Sequence, residues 1–79
     1  MSELEVREKI TEIIVANLGH HDFEFNDELT AEDVRGWDSL SHMAIITSIE
    51  ERFQIKFKIR EITKLKNMKT LIELVQSKI

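Results

Sequence analysis

The residues in this sequence that could do chemistry together sit midway along the chain, in Gly36-Trp37-Asp38-Ser39-Leu40-Ser41-His42. Aspartate is a preferred helix N-cap, because its carboxylate accepts from a first-turn N–H that has no partner in the helix. Asp38 in that role makes Ser39 the first helical residue. Its hydroxyl is then exposed beside unpaired N–H groups and the positive end of the helix dipole. A phosphate ester on Ser39 would be favoured there by about 0.3–1 kcal/mol. The arrangement suits a phosphodiester and gives the serine no base with which to act as a nucleophile itself.

Other chemistries are weaker. Ser39 and His42 lie three apart on one helix face with Asp38 adjacent, which invites a hydrolytic triad. The run G-W-D-S-L-S lacks the second glycine of a nucleophile elbow, however, and Asp38 is expected to cap the helix. A bundle of this size also offers little wall for an oxyanion hole and pocket. No catalytic residue is expected, and His42 is read as solvent-facing. His20-His21-Asp22 is read as a solvated turn, since no further metal ligand stands at a recognised spacing. No metal is expected. Trp37 could anchor the preceding loop or shield a group attached at Ser39.

These residues need elements to position them. Proline is absent and glycine occurs only at 19 and 36, which favours helices. Ser2 and Glu5 fit a capping box ahead of an apolar stripe of Leu4, Val6, Ile10, Ile13, Ile14 and Leu18. Gly19 stands where a C-terminal glycine ends a helix, so the first helix is predicted at about 3–18. A long polar loop, 19–38, follows, and Phe23, Phe25, Leu29 and Val34 are expected to pin it across the bundle. The second helix runs from Asp38 to about Phe53, with Ile45, Ile46, Ile49 and Phe53 facing the core. A short third helix is predicted near 58–64, and a last one at about 68–78, capped by Asn67. Met68, Leu71, Ile72 and Val75 form the last helix's stripe. The expected fold is all-α: a four-helix bundle of three main helices plus a short third, with a long loop between the first two.

Seventy-nine residues make one domain, 1–79, and 42% apolar residues can build its core without a staple. The chain has no cysteine, so any thiol it uses must be attached to it. No apolar stretch approaches a membrane span, and the protein is expected to be cytoplasmic. Charge is uneven. Residues 1–51 hold thirteen acidic and three basic side chains, whereas 52–79 hold eight basic and two acidic ones. The basic segment 52–69 is read as a solvated face or a docking patch for an acidic enzyme surface. With one tryptophan placed elsewhere, no tyrosine and no reader motif, nucleic acid is not an expected partner.

Asp38-Ser39-Leu40 at a helix start, halfway along such a chain, resembles the acyl carrier and peptidyl carrier proteins. The likeness continues through Ser41-His42-Met43, Ile45-Ile46, Ile49 to Phe53 and Ile55-Lys56-Phe57. It also takes in Phe25 to Leu29 upstream and Asn67 to Leu71 downstream, and so covers essentially the whole chain. The resemblance implies that Ser39 receives 4′-phosphopantetheine from coenzyme A and that Asp38 helps the phosphopantetheinyl transferase position its magnesium ion. The arm's thiol would hold acyl or aminoacyl groups as thioesters. Leu40, Met43, Ala44, Thr47 and Ile62 would meet the loading and acyl-transferring enzymes, and a monomer is expected. An unmodified helical adaptor that binds a partner through the second helix is the alternative.

The sequence departs from the family's fatty-acid carriers in two respects. The segment after the second helix is basic where those carriers are usually acidic or neutral. Ala44, Thr47 and Ser48 occupy the middle of the second helix, where those carriers are strongly acidic. Docking should then rest more on apolar contact than on charge steering, which favours a dedicated carrier in a specialised biosynthetic pathway.

Overall fold

The computed structural model describes residues 2–79. Helix α1 spans Glu3–Leu18, α2 Ser39–Phe53, α3 Ile59–Ile62 and α4 Met68–Lys78. A single 3₁₀ turn at Ala31–Asp33, absent from the sequence reading, interrupts the loop between α1 and α2. The three long helices begin at the predicted caps and end at the expected residues, α1 at its predicted glycine cap. The short third helix is tighter than the expected 58–64.

Local chemistry sets these limits. The Ser2 hydroxyl accepts from the Glu5 N–H at 3.2 Å and starts α1. The Glu5 carboxylate, expected to accept from the Ser2 N–H, accepts from the Ser2 hydroxyl instead, at 3.3 Å. Gly19 takes the left-handed conformation that ends the helix, and its N–H donates to the Val15 carbonyl. Gln54 does the same for α2 at φ 58°, without glycine's freedom.

Helix α1 packs against both α2 and α4. Its Val6, Ile10, Ile13 and Ile14 meet Ile45, Ile46, Ile49 and Phe53 of α2 and Met68, Leu71, Ile72 and Val75 of α4 in one cluster. Leu4, expected in the stripe, is 65% exposed. Two residues before Val6, it points to the opposite face of the helix, away from the core. In the long loop Leu29 and Val34 are buried, and Phe23 and Phe25 pack on the cluster edge to edge with each other.

The loop is also held by its backbone. The Leu29 and Asp27 carbonyls accept from the Met68 and Lys69 N–H groups at 2.8 and 3.0 Å. The Arg7 guanidinium holds the Asp27 carboxylate from α1. The His20 ring bridges the loop's two ends. Its Nε2 donates to the Arg35 carbonyl at 2.6 Å, while its Nδ1 accepts from the Asp22 N–H at 3.2 Å. The expectation of a solvated turn is therefore corrected for His20, which is a strut, whereas His21 is exposed.

Between α2 and α4 the chain is tied by polar contacts. The Glu50 carboxylate accepts from the Phe57 N–H at 2.8 Å and fixes the turn before α3. Glu61 of α3 meets Lys78 of α4 at 3.0 Å. Bonds from the Lys58 backbone, and then Lys78, hold the Glu61 carboxyl below the usual carboxylate range.

Candidate functional site

The site forms where the loop turns into α2. Gly36 has φ 86°, a conformation L side chains rarely adopt, and this turn aims Trp37 back toward the bundle. Asp38 is extended and caps α2, its Oδ1 accepting from the Ser41 N–H at 3.0 Å. The Asp38 N–H donates to the Ser41 Oγ at 2.8 Å, which completes a capping box. The Ser41 hydroxyl also reaches the Gly36 carbonyl at 2.7 Å. Bonds from the Ser41 N–H, and then its hydroxyl, hold the Asp38 carboxyl below its ordinary range, so it is ionised at neutral pH. The sequence reading missed Ser41, although the D-x-x-S spacing is the signal of such a box.

Ser39 is the first residue of α2 and is exposed. Its setting differs from the start of α4. There the first two N–H groups go to loop carbonyls and the next two to the Asn67 side chain and carbonyl. At α2 the third and fourth N–H groups, of Ser41 and His42, go to Asp38, and the Leu40 N–H also lies against the Asp38 carboxylate. The Ser39 N–H meets no acceptor among the described residues. An anion carried on the Ser39 hydroxyl would sit against this open first turn.

His42 is not solvent-facing, as the sequence reading had it, but half-buried. Its Nδ1 accepts from the Trp37 indole Nε1–H at 3.1 Å, with ring centroids 6.2 Å apart. Burial lowers the pKa of His42 from its ordinary value. Asp38 is occupied in the cap and His42 by Trp37, so neither is arranged to activate the Ser39 hydroxyl. Trp37 itself packs against the core cluster and so anchors the loop.

A groove of about 390 Å³ opens beside Ser39, lined by Ala31, Trp37, Asp38, His42 and Leu65. Leu40 is 83% exposed and Met43 49%, with Ala44 and Thr47 also on the surface of α2. Ile62 is half-buried and packs on the core, while Ile59, which sequence reasoning passed over, is 82% exposed. Lys56, Lys58, Arg60, Lys64, Lys66 and Lys69 lie on the surface around it.

Known proteins agree with this geometry. Residues 8–75 match the family model described as phosphopantetheine attachment site. An acyl carrier protein of Chlorobium luteolum is 27% identical over 78 residues, covering 99% of this chain and 100% of that one. The solution NMR structure of holo acyl carrier protein from Geobacter metallireducens matches with a TM-score of 0.85 at 37% identity, over 92% of this chain and 84% of that one. With the family model spanning most of its length, the chain belongs to the phosphopantetheine-binding carriers, the acyl carrier proteins, whose cofactor is a covalently attached 4′-phosphopantetheine.

Proposed function

We propose that Ser39 is the residue that holds the phosphopantetheine arm, and that the protein presents acyl or aminoacyl groups on it to partner enzymes. The observation that carries this is the contrast between the two serines of the run. Ser39 has an exposed hydroxyl at an open first turn, whereas the Ser41 hydroxyl is engaged in the cap. The residues present fit the arm: the open first turn would receive its phosphate, and the groove beside Ser39 would lodge the chain that follows. When bound, the arm supplies the thiol that this cysteine-free chain lacks. Tethering raises the effective concentration of the carried group at each partner's active site.

Asp38, ionised and exposed next to Ser39, is suited to help a phosphopantetheinyl transferase position magnesium. The docking face comprises Leu40, Met43, Ala44 and Thr47 of α2, with Ile59 and the outer edge of Ile62 on α3. Because this part of α2 bears no charge, loading and acyl-transferring enzymes would meet it chiefly by apolar contact. That supports a dedicated carrier in a specialised biosynthetic pathway, acting as a monomer in the cytoplasm with coenzyme A as donor of the arm.

Incubation with coenzyme A, magnesium and a broad-specificity phosphopantetheinyl transferase tests the assignment. Intact-protein mass spectrometry should show one phosphopantetheine adduct, absent from the Ser39→Ala variant. An unmodified chain with several transferases would instead favour the adaptor reading.

A further inference from the structure

The cations of the last third of the chain divide into two sets. Arg52 and Lys78 are paired, with Glu12 at 3.6 Å and Glu61 at 3.0 Å. Lys56, Lys58, Arg60, Lys64, Lys66 and Lys69 are exposed and make no ion pair among the described residues. Glu61 is the one carboxylate within 52–69. It is already engaged by the Lys58 N–H at 2.7 Å and by Lys78. Glu51 and Glu73 stand at the margins, where they share surface hollows with Lys56 and Lys64. Amid the cations stands Ile59, 82% exposed, while Ile62 of the same helix packs on the core.

Free cations around an uncovered aliphatic side chain add nothing to the stability of the fold, since like charges repel. Salt screens charge over about 8 Å at physiological ionic strength, and the molecule measures 29 × 25 × 21 Å. A partner touching this face therefore meets its cations rather than the chain's net charge of −4. Such a partner must be anionic, with an apolar layer to receive Ile59.

An acidic protein and an anionic lipid surface both meet those terms, and the residue types separate them. Carboxylates fixed in a protein are matched best by arginine, whose planar fork bonds both oxygens, and protein interfaces are depleted in lysine. Five of these six cations are lysine. Ammonium groups on flexible stems suit headgroups that move in a plane, and clusters of about 4–8 such residues are drawn to anionic lipid. We propose that the α3 face lies on an anionic lipid surface, its lysines among the headgroups and Ile59 dipped into the acyl boundary. The contact is peripheral, since no helix of the described residues is long and apolar enough to cross a membrane. Leu65 lines both the groove at Ser39 and the hollow beside Lys64, so the groove borders this face. With the arm on Ser39, the carried group would be held beside the bilayer. Ile59 also belongs to the docking face. Enzyme and lipid binding thus share one apolar contact but draw on different neighbours, the uncharged middle of α2 and the cations.

Co-sedimentation of the full chain with vesicles tests this. One set is phosphatidylcholine alone, the other equal parts phosphatidylcholine and phosphatidylglycerol. The chain should bind the second set and not the first, and should be released by high salt. Lys58→Ala and Lys64→Ala should each weaken binding about five-fold, the effect of one cation near such a surface. Ile59→Ser should weaken it about ten-fold, the lower end for burying that side chain. All three positions are exposed, so these variants should keep the fold, which circular dichroism checks. Ser39→Ala should bind as the unmodified sequence does, which separates this proposal from the assignment of the arm. Equal binding to both vesicle sets, or none to the anionic set at low salt, would overturn the proposal. So would a Lys58→Glu variant that loses affinity for an acidic soluble protein while neither form binds vesicles. The face would then serve a protein partner.

Discussion

Trp37→Phe probes the contact that shapes the site. The substitution keeps an aromatic ring against the core but removes the indole N–H that His42 Nδ1 accepts at 3.1 Å. A neutral hydrogen bond of this kind contributes about 1 kcal/mol net, which in a domain of this size is roughly 4–8 °C in Tm. The pH dependence separates the bond from the lost ring area. Burial holds His42 below 6.5, so as pH falls through 6.5 the unfolded chain takes up a proton before the folded one does. Stability present above that value is lost on the way down to the folded pKa. Without the indole donor the neutral imidazole is less favoured, the folded pKa rises toward 6.5, and less stability is lost. Thermal melts followed by circular dichroism should therefore show a gap between the two proteins near pH 8 that narrows near pH 5. NMR titration of His42 should move upward in the variant. Other groups titrate alike in both and cancel. A gap of equal size at both pH values, with an unmoved His42 titration, would refute the reasoning.

Other perturbations follow from the same contacts. Glu50→Ala removes the carboxylate that receives the Phe57 N–H, and should cost about 1.5–3 kcal/mol by urea denaturation, with Glu50→Gln between it and the native protein. Gln54→Gly relieves a left-handed residue at the end of α2. It should gain about 0.5 kcal/mol, because the strain removed exceeds the added freedom of the unfolded chain and the lost side-chain bond to Glu51. Binding of the holo protein to a partner enzyme should weaken less between low and high salt than that of a carrier with an acidic second helix, as measured by titration calorimetry, since the exposed middle of α2 is uncharged.

Elements whose causes are local could be read directly from sequence. Ser2, Asp38 and Asn67 each cap a helix through a residue three positions away, and Gly19 ends one through its own backbone freedom. Core membership followed from helical spacing, and Leu4 is exposed for the same reason: it lies about 160° around the helix from Val6, off the stripe to which it was assigned. Contacts across the long loop were not legible. His20 reaches the Arg35 carbonyl fifteen residues on, and the Met68 and Lys69 N–H groups find loop carbonyls some forty residues earlier. The Trp37–His42 bond spans only five residues but crosses the cap, where no helical or strand period applies. That is why His42 was expected in solvent. The exposed position of Ser39 was legible because it depends on one cap and one helix start, whereas the role proposed for it came from the resemblance carried by Asp38-Ser39-Leu40.

The most direct measurement of the central claim is the location of the adduct within the run Asp38-Ser39-Leu40-Ser41. The holo protein should be digested, and the modified peptide fragmented by a method that preserves the phosphodiester. Fragment ions that place the whole added mass on Ser39 are the expected result, since its hydroxyl is exposed while that of Ser41 is committed to the cap. Mass found on Ser41, or on a residue outside α2, would contradict the account.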